Sequence, residues 1–317
     1  METIKFFSEK LFSAKSVALF CHVRPDGDTI GSAFALMLAL KNSGVKAQVF
    51  CSELIPEKYF YALKGFNAKQ QLDGEYELFI SIDCGDLDRL GDFAFDFNAH
   101  KNTFNLDHHI SNRGYAKFNC VIDNAANAEN VYNLLVESNV EIDQDIANLL
   151  ALGIVTDTGN FKHKNVTEST FKTAASLKAL GADFNKTVYE NFTKQSKNRA
   201  KLLGICMSKL RYLLEDRLCV LTVTENDLKV SNAKRDETEG FIDLVMGIDC
   251  VEVGVSVMEV GTESYKISFR SKGTDVNEIA GVFGGGGHVL ASGCRLNGCL
   301  EEVIDKVRYA VKQHLKD

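Results

Sequence analysis

Four short stretches of the 317-residue sequence concentrate carboxylates and imidazoles. "HVRPDGDTIGS" (22–32) carries His22, Asp26 and Asp28; "SIDCGD" (81–86) carries Asp83. "LDHHISN" (106–112) carries Asp107, His108, His109 and Asn112, and "GIVTDTGNF" (153–161) carries Asp157. Taken singly, an aspartate after a strand is an ordinary helix cap or turn former. Brought together in a partly dry crevice, ionised carboxylates repel one another at a cost of several kcal/mol per ion. Cations among them remove that cost. Three or four aspartates with two histidines can chelate two divalent ions a few Å apart, one carboxylate bridging the pair. Oxygen-rich donors with some imidazole suit Mn²⁺, with Mg²⁺ as the alternative, better than structural zinc, which favours thiolates. Cys21 and Cys84 adjoin the candidate ligands, but strand alternation points them away. Asp86, Asp88, Asp92 and Asp96 read as an acidic surface run.

The elements that would position these groups alternate along the chain. Strand-like runs "SVALFC" (16–21), "KAQVFC" (46–51), "ELFISID" (77–83) and "NTFNLD" (102–107) are interleaved with or followed by helical patterns at 31–44, 127–138 and 143–153. Such alternation predicts an α/β domain with a mainly parallel sheet. In such sheets the ligand crevice lies beyond the carboxyl ends of the strands, where the stretches before Asp26, Asp83 and Asp107 deliver their acids. The run before Asp157 is read as a fourth such segment. A polar-to-basic stretch (185–213) then predicts a helical linker. The final hundred residues read as a smaller α/β domain, with strands at 218–224, 251–260 and 265–271 and helices at 237–248, 275–283 and 300–315. The expected division is 1–185, 186–212 and 213–317.

Composition narrows the function class. With 45% hydrophobic and 25% charged residues the chain is an ordinary globular protein. No apolar run approaches the roughly 20 residues of a membrane span, and the start lacks a secretory signal's apolar block; the expectation is a cytoplasmic protein with no membrane partner. Nine cysteines without C-x-x-C spacing are expected to be reduced and mostly buried. A net charge of −7 argues against a stable complex with long nucleic acid. It leaves room for a small anionic ligand.

The four stretches resemble, in order and spacing, the motifs of the DHH phosphoesterase superfamily. The last third resembles the DHH-associated domain, marked by "SFRSK" (268–272) and "GGGGH" (284–288). The two-domain length is most similar to the nanoRNase subfamily, which acts on short oligoribonucleotides and 3′-phosphoadenosine-5′-phosphate. The resemblance implies one metal on His22, Asp26 and Asp83, and a second on Asp28, Asp83, His108 and Asp157, with Asp83 bridging. His109 would face the scissile phosphate. Asp107 would orient an imidazole, and Asn112 would sit near the substrate. Gly27 would allow a tight turn between Asp26 and Asp28. Gly31 and Ser32 would start a helix facing the anionic site. Water between the ions would attack phosphorus in line, without a side-chain nucleophile.

In the second domain the resemblance implies that Arg270, Ser271 and His288 hold the part of the substrate away from the metals, with Lys272 a weaker candidate. The amides of Gly286 and Gly287 would approach a phosphate. Short oligonucleotides or a nucleoside bisphosphate would suit such a clamp, and the family implies a homodimer. Competing readings are a phosphodiesterase of linear or cyclic di-AMP and a RecJ-like single-strand exonuclease. A type II inorganic pyrophosphatase is disfavoured by the C-terminal motifs, and a silent nucleotide-binding scaffold by the complete ligand set.

Overall fold

The computed structural model describes residues 1–315, and the chain divides into two units, Met1–Lys194 and Gln195–Asp317. The boundary falls inside the stretch expected to link the domains. The first unit comprises α1 (Ile4–Ser13), β1 (Ser16–Phe20), α2 (Gly27–Asn42), β2 (Lys46–Phe50), α3 (Phe60–Leu63), β3 (Leu78–Ile82), α4 (Ala94–Ala99) and β4 (Thr103–Asp107). It continues through β5 (Phe118–Val121), α5 (Asn127–Glu137), α6 (Gln144–Asp157), α7 (Glu168–Ala179) and α8 (Phe184–Val188). Its five strands form one parallel sheet in the order β2-β1-β3-β4-β5.

Apolar runs on both faces suit a sheet covered on both sides. Along β1, Val17 and Leu19 enter a core shared with α1, α2, α5 and α6. Ala18 and Phe20 enter an aromatic cluster with Phe50, Phe79, Phe93 and Phe97. The short edge strand β5, which the sequence reading lacks, buries fully only Cys120 of its four residues. That leaves too little alternation to read.

Two helix boundaries differ from expectation, and both bear on the site. The helix after the first motif begins at Gly27 rather than Gly31, because Asp26 caps it by accepting from the amides of Asp28 and Thr29 (3.0 and 3.1 Å). The helix read as 143–153 continues to Asp157, so this aspartate comes from a helix end and not from a strand. Thr156 and Thr158 are accommodated there by donating their hydroxyls to Leu152 O and Ile154 O. Left-handed Gly159 (φ 55°) then ends the run.

The second unit comprises α9 (Lys197–Met207), β6 (Arg211–Leu213), β7 (Leu218–Val223), α10 (Glu225–Ser231), α11 (Phe241–Met246), β8 (Val253–Gly261) and β9 (Ser264–Ser271). After these come α12 (Val276–Val282), β10 (Gly286–His288), β11 (Ala291–Asn297) and α13 (Leu300–His314). The stretch 185–213 is therefore not one helix: α8, a π-helical turn (Tyr189–Thr193), α9 and β6 share it. The helix expected at 237–248 is confined to α11, because left-handed Gly240 (φ 80°) precedes it. The sheet order is β10-β11-β9-β8-β7-β6, with only β7–β8 parallel. One sheet face packs on α12 and α13 through Val255, Ile267, Phe269, Ile279 and Val307.

Seven cysteines are buried, Cys250 and Cys299 are exposed, and all nine are free thiols. Among the described residues no helix is long and apolar enough to cross a membrane.

Candidate active site

Asp83 stands at the centre. It follows β3 in the left-handed region (φ 56°), a conformation that aspartate tolerates better than most residues. There it turns a carboxylate, 2% exposed, between two imidazoles. Its Oδ2 lies 3.6 Å from His22 Nε2, and its Oδ1 lies 3.2 Å from His108 Nε2. Oδ1 is buried and accepts no hydrogen bond.

Three overlapping sets of donor atoms share this neighbourhood. The ligand atoms of His22, Asp26 and Asp83 all lie within 4.8 Å of one another, as do those of Asp28, His108 and Asp157 and those of Asp83, His108 and His109. None of the sets contains a cysteine. Cys21 Sγ points to Thr29 O and Cys84 Sγ to Asp86 O.

The imidazoles are fixed from behind. Nδ1 of His108 donates to Asn124 O (2.9 Å) and Nδ1 of His22 donates to Val23 O (2.8 Å). Each ring thereby keeps its Nδ1 proton and turns Nε2 to the carboxylates, the nitrogen that can ligate a metal once it gives up its own proton. Asp28 is fully buried and accepts from the amides of Asn127 (2.6 Å) and Ala128 (2.9 Å), and from Ser32 Oγ (3.1 Å). Helix α5 has no side-chain cap of its own; Asp28 fills that role from α2.

The crowded carboxylates draw protons onto their neighbours. Burial opposes charge on His108, but the Asp83 hydrogen bond and the charges of Asp28 and Asp83 outweigh it and push the ring up to about 11. Against the same burial, Asp26 and Asp83 push His22 up to about 10. Burial, then repulsion from Asp83 and Asp157, raises Asp28 well above the carboxylate range. Burial chiefly, against the pull of His108, takes Asp157 to about 6. A site that concentrates positive charge in this way, with an orphaned carboxylate oxygen and no competing donors, fits divalent cations.

A cation must displace those protons. At neutral pH both imidazoles are protonated, and Asp28, raised well above an ordinary carboxyl, adds to their protons, so binding is expected to release at least two protons. Below pH about 6 protonated Asp157 adds a further competitor, so affinity falls as pH falls. Calorimetric titration in buffers of different ionisation enthalpy counts the protons. Affinity independent of pH, with none released, would contradict this electrostatic picture.

His109 also lies within reach of Asp83 and His108, its Nδ1 3.7 Å from Asp83 Oδ1, but its shorter contact is to Asp107. Its Nδ1 donates to Asp107 Oδ1 at 2.7 Å, which raises its pKa and leaves Nε2 on the half-exposed side of the ring. Asp107 is fully buried; burial disfavours its charge, but His109 and Asn112 hold its pKa below the usual value. The Asn112 amide donates to Asp107 Oδ2 (2.6 Å) and Asn105 Oδ1 (2.7 Å), while its own Oδ1 accepts from Gly114 N (2.8 Å). This corrects the expectation of a substrate contact: Asn112 sits behind Asp107 and orients it. Asn112→Ala is expected to lower kcat about 10–100-fold with a smaller change in KM. A dominant effect on KM, measured by steady-state kinetics, would return Asn112 to the substrate.

Residues 16–154 match the family described as "DHH family, N-terminal domain", and residues 215–317 match the "DHHA1 domain". The chain thus carries a DHH-family N-terminal domain followed by a DHHA1 domain. It is similar to the bifunctional oligoribonuclease and PAP phosphatase NrnA of Thermus thermophilus, at 27% identity over 99% of this chain and 95% of that one. The protein of the same description from Bacillus subtilis is 27% identical over 89% of each chain. Among solved structures, an exopolyphosphatase-related protein from Bacteroides fragilis superposes with a TM-score of 0.83 at 23% identity, covering 98% of this chain and 95% of that one. The exonuclease RecJ bound to manganese gives a TM-score of 0.55 at 14% identity, covering 98% and 95%. The fold is that of DHH proteins.

The packing role of three glycines escaped the sequence reading, which took Gly27 and Gly31 only as a turn and a helix start and missed Gly153 and Arg89 altogether. A Cβ on Gly27 would collide with the Thr156 side chain, and one on Gly31 with the Leu149 carbonyl. A Cβ on Gly153 would lie 2.5 Å from Asp28 Oδ1 and 2.6 Å from Ala128 Cβ. These glycines let α2 meet α6 closely enough for Asp28 and Asp157 to share His108. Gly27 has no left-handed φ, so close approach and not a tight turn explains it. Arg89, in the run read as acidic surface, places Nη2 3.0 Å from His22 Nδ1. The four aspartates of that run are exposed.

The DHHA1 candidates divide. Arg270 is half-exposed, with Nε 3.6 Å from Asp243 Oδ1, and His288 is exposed. Ser271 donates to Thr274 O within its own loop, and Lys272 ties that loop to the segment after α11 by donating to the carbonyls of Ile248 (3.0 Å) and Asp249 (3.1 Å). The glycine run is no open anion nest. The amides of Gly284, Gly285 and Gly287 already donate, to Gly281 O, Ala280 O and Asn277 Oδ1, while Gly286 pairs with Gly293 in the sheet. Left-handed Gly284 (φ 72°) and the packing of Gly285 against the Gly293 carbonyl account for glycine at those two places.

Proposed function

We propose that this chain hydrolyses short oligonucleotides to mononucleotides, and 3′-phosphoadenosine-5′-phosphate to AMP, with two divalent cations, Mn²⁺ by preference. The observation that carries the reading is the Asp83 carboxylate, buried between the Nε2 atoms of two imidazoles with one oxygen unclaimed. The names of relatives aligned over nearly the whole chain supply the substrate class. Mixed carboxylate and imidazole donors favour Mn²⁺.

His22, Asp26 and Asp83 would hold one cation; Asp28, Asp83, His108 and Asp157 would hold the other. Once bound, such a pair acidifies a water and offsets the charge of the phosphate. The remaining work belongs to the protein. Asn124 O and Val23 O hold two imidazoles in the ligating orientation. The amides at the start of α5 anchor Asp28. Asp107 keeps a proton on His109 Nδ1 and stabilises positive charge on the ring, so Nε2–H can donate to a phosphoryl oxygen as charge develops. In the DHHA1 domain Arg270 and His288 would bind a phosphate, the guanidinium exchanging Asp243 for it.

The test is hydrolysis with Mn²⁺ of RNA and DNA between about two and about twenty nucleotides long, beside 3′-phosphoadenosine-5′-phosphate, linear and cyclic di-AMP and pyrophosphate. Rates are expected to fall steeply beyond about five nucleotides, as binding energy from a nearby terminal phosphate is lost. Undiminished cleavage of the longest strand, or pyrophosphate as the best substrate, would overturn the assignment. Sedimentation of the same preparation decides whether the active species is the dimer that the family resemblance implies.

A further inference from the structure

Strand register in the DHHA1 domain gathers more basic side chains than the two discussed above. Along β9, Tyr265, Ile267 and Phe269 enter the core, so Lys266, Ser268 and Arg270 share the opposite face. Directly paired residues of neighbouring strands lie on one face. The pairings therefore lay out three rows across the sheet. The first is His288, Ala291, Arg270 and Gly254; the second is Gly286, Gly293, Ser268 and Ser256; the third is Arg295, Lys266 and Met258.

The centre of this face holds nothing larger than serine, and its flanks carry Arg270, His288, Lys266 and Arg295. No carboxylate occurs in the three rows. A cavity of about 330 Å³ opens on it, lined on the sheet side by Ser256, Lys266, Ser268 and Arg270 and on the other side by Arg235, Asp236 and Glu239 among others. The acids nearby, Asp236, Glu239 and Asp243, belong to the covering segment and α11, not to the sheet.

Lys266 and Arg295 are direct cross-strand neighbours of like charge. Both are exposed, and neither has an ion-pair or hydrogen-bond partner among the described residues. Such a pairing is unfavourable by itself and becomes favourable when an anion lies over both. Four residues separate Lys266 from Arg270 along β9, about 14 Å. One phosphate cannot span that distance; about four stacked nucleotides can, at about 3.4 Å each, or fewer when the chain is extended.

We propose that Lys266 and Arg295 form a second phosphate position on this face, which engages the backbone of oligonucleotides and is out of reach of a nucleoside bisphosphate bound at Arg270. The inference rests on the substrate class given under Proposed function. It makes the pair a determinant of substrate length.

The test compares wild type with the double variant Lys266→Gln/Arg295→Gln and with the charge-preserving Lys266→Arg/Arg295→Lys. The ratio of kcat/KM for a pentanucleotide to that for 3′-phosphoadenosine-5′-phosphate is expected to fall about tenfold or more in the first, chiefly through KM, and to be restored in the second. The slope of log KM against log salt for the pentanucleotide should flatten by about one to two. A ratio within about twofold of wild type, or an unaltered salt slope, overturns the proposal. Anisotropy with a labelled pentanucleotide and no added metal reads binding without turnover. Tenfold weaker binding by the neutral variant, with its circular dichroism intact, supports the proposal. Equal binding, or none by wild type, refutes it. Binding by wild type without hydrolysis of either substrate would instead count against the proposed function.

Discussion

Asp83→Asn is expected to give a folded, metal-poor and inactive protein. Asparagine keeps the shape of the side chain and tolerates the left-handed backbone at this position (φ 56°), so β3 and its turn should survive. What disappears is the charge facing His22 and His108. Loss of the carboxylate that faces both His22 and His108, and that is proposed to bridge the two cations, is expected to lower kcat/KM by at least about 10³-fold, the upper range for a single charge-stabilising group. The melting temperature of the metal-free variant should fall below that of wild type, because the buried carboxylate that offsets charge on His22 and His108 is gone. The rise in melting temperature on adding Mn²⁺ should largely vanish. A variant keeping more than about a tenth of wild-type activity would remove Asp83 from the centre of the chemistry.

The second large effect comes from a residue that carries no chemistry. Gly153→Ala places a methyl 2.5 Å from Asp28 Oδ1 and 2.6 Å from Ala128 Cβ, both on well-packed helices that cannot yield cheaply. Overpacking of this kind costs about 1–3 kcal/mol. Relief by separation of α2 from α6 moves Asp28 away from Asp157, and a displacement of about 1 Å at a reacting centre can cost about 10²-fold in rate. Loss of activity should thus exceed what the loss of stability accounts for. Gly204→Ala is the control: this glycine is also helical, but a Cβ there meets nothing within 4 Å. It should stabilise the protein by up to about 1 kcal/mol and leave the rate alone. Equal behaviour of the two variants, by thermal melts and steady-state rates, would deny the helix contact its role in the site.

The contrast between these residues shows what a linear sequence can express. Asp26, Asp83 and Asp107 were legible because each follows an apolar strand run, and the parallel topology then forces those runs to end on one edge. Asp157 was legible as a group but not in its placement. Its apolar run suits strand or helix equally, and only packing on α2 decides between them. The packing role of Gly153 and Gly31 was invisible, since a glycine's purpose lies in the neighbour that occupies its missing Cβ. The glycine run before His288 misled for the opposite reason. Its composition advertises free amides, yet Ala280, Gly281 and Asn277 had already taken three of them. Asn112 read as a substrate contact because motif membership does not say which side of a catalytic group a residue occupies. The row joining Lys266 to Arg295 required the register of three strands, which alternation within any one strand cannot supply.

Anomalous diffraction from crystals grown with Mn²⁺ measures the central claim most directly. Two peaks are expected, one on either side of the Asp83 carboxylate: the first contacted by His22 and Asp26, the second by Asp28, His108 and Asp157. A single peak lacking Asp83 as a ligand, or peaks away from β3, would contradict the account at its root.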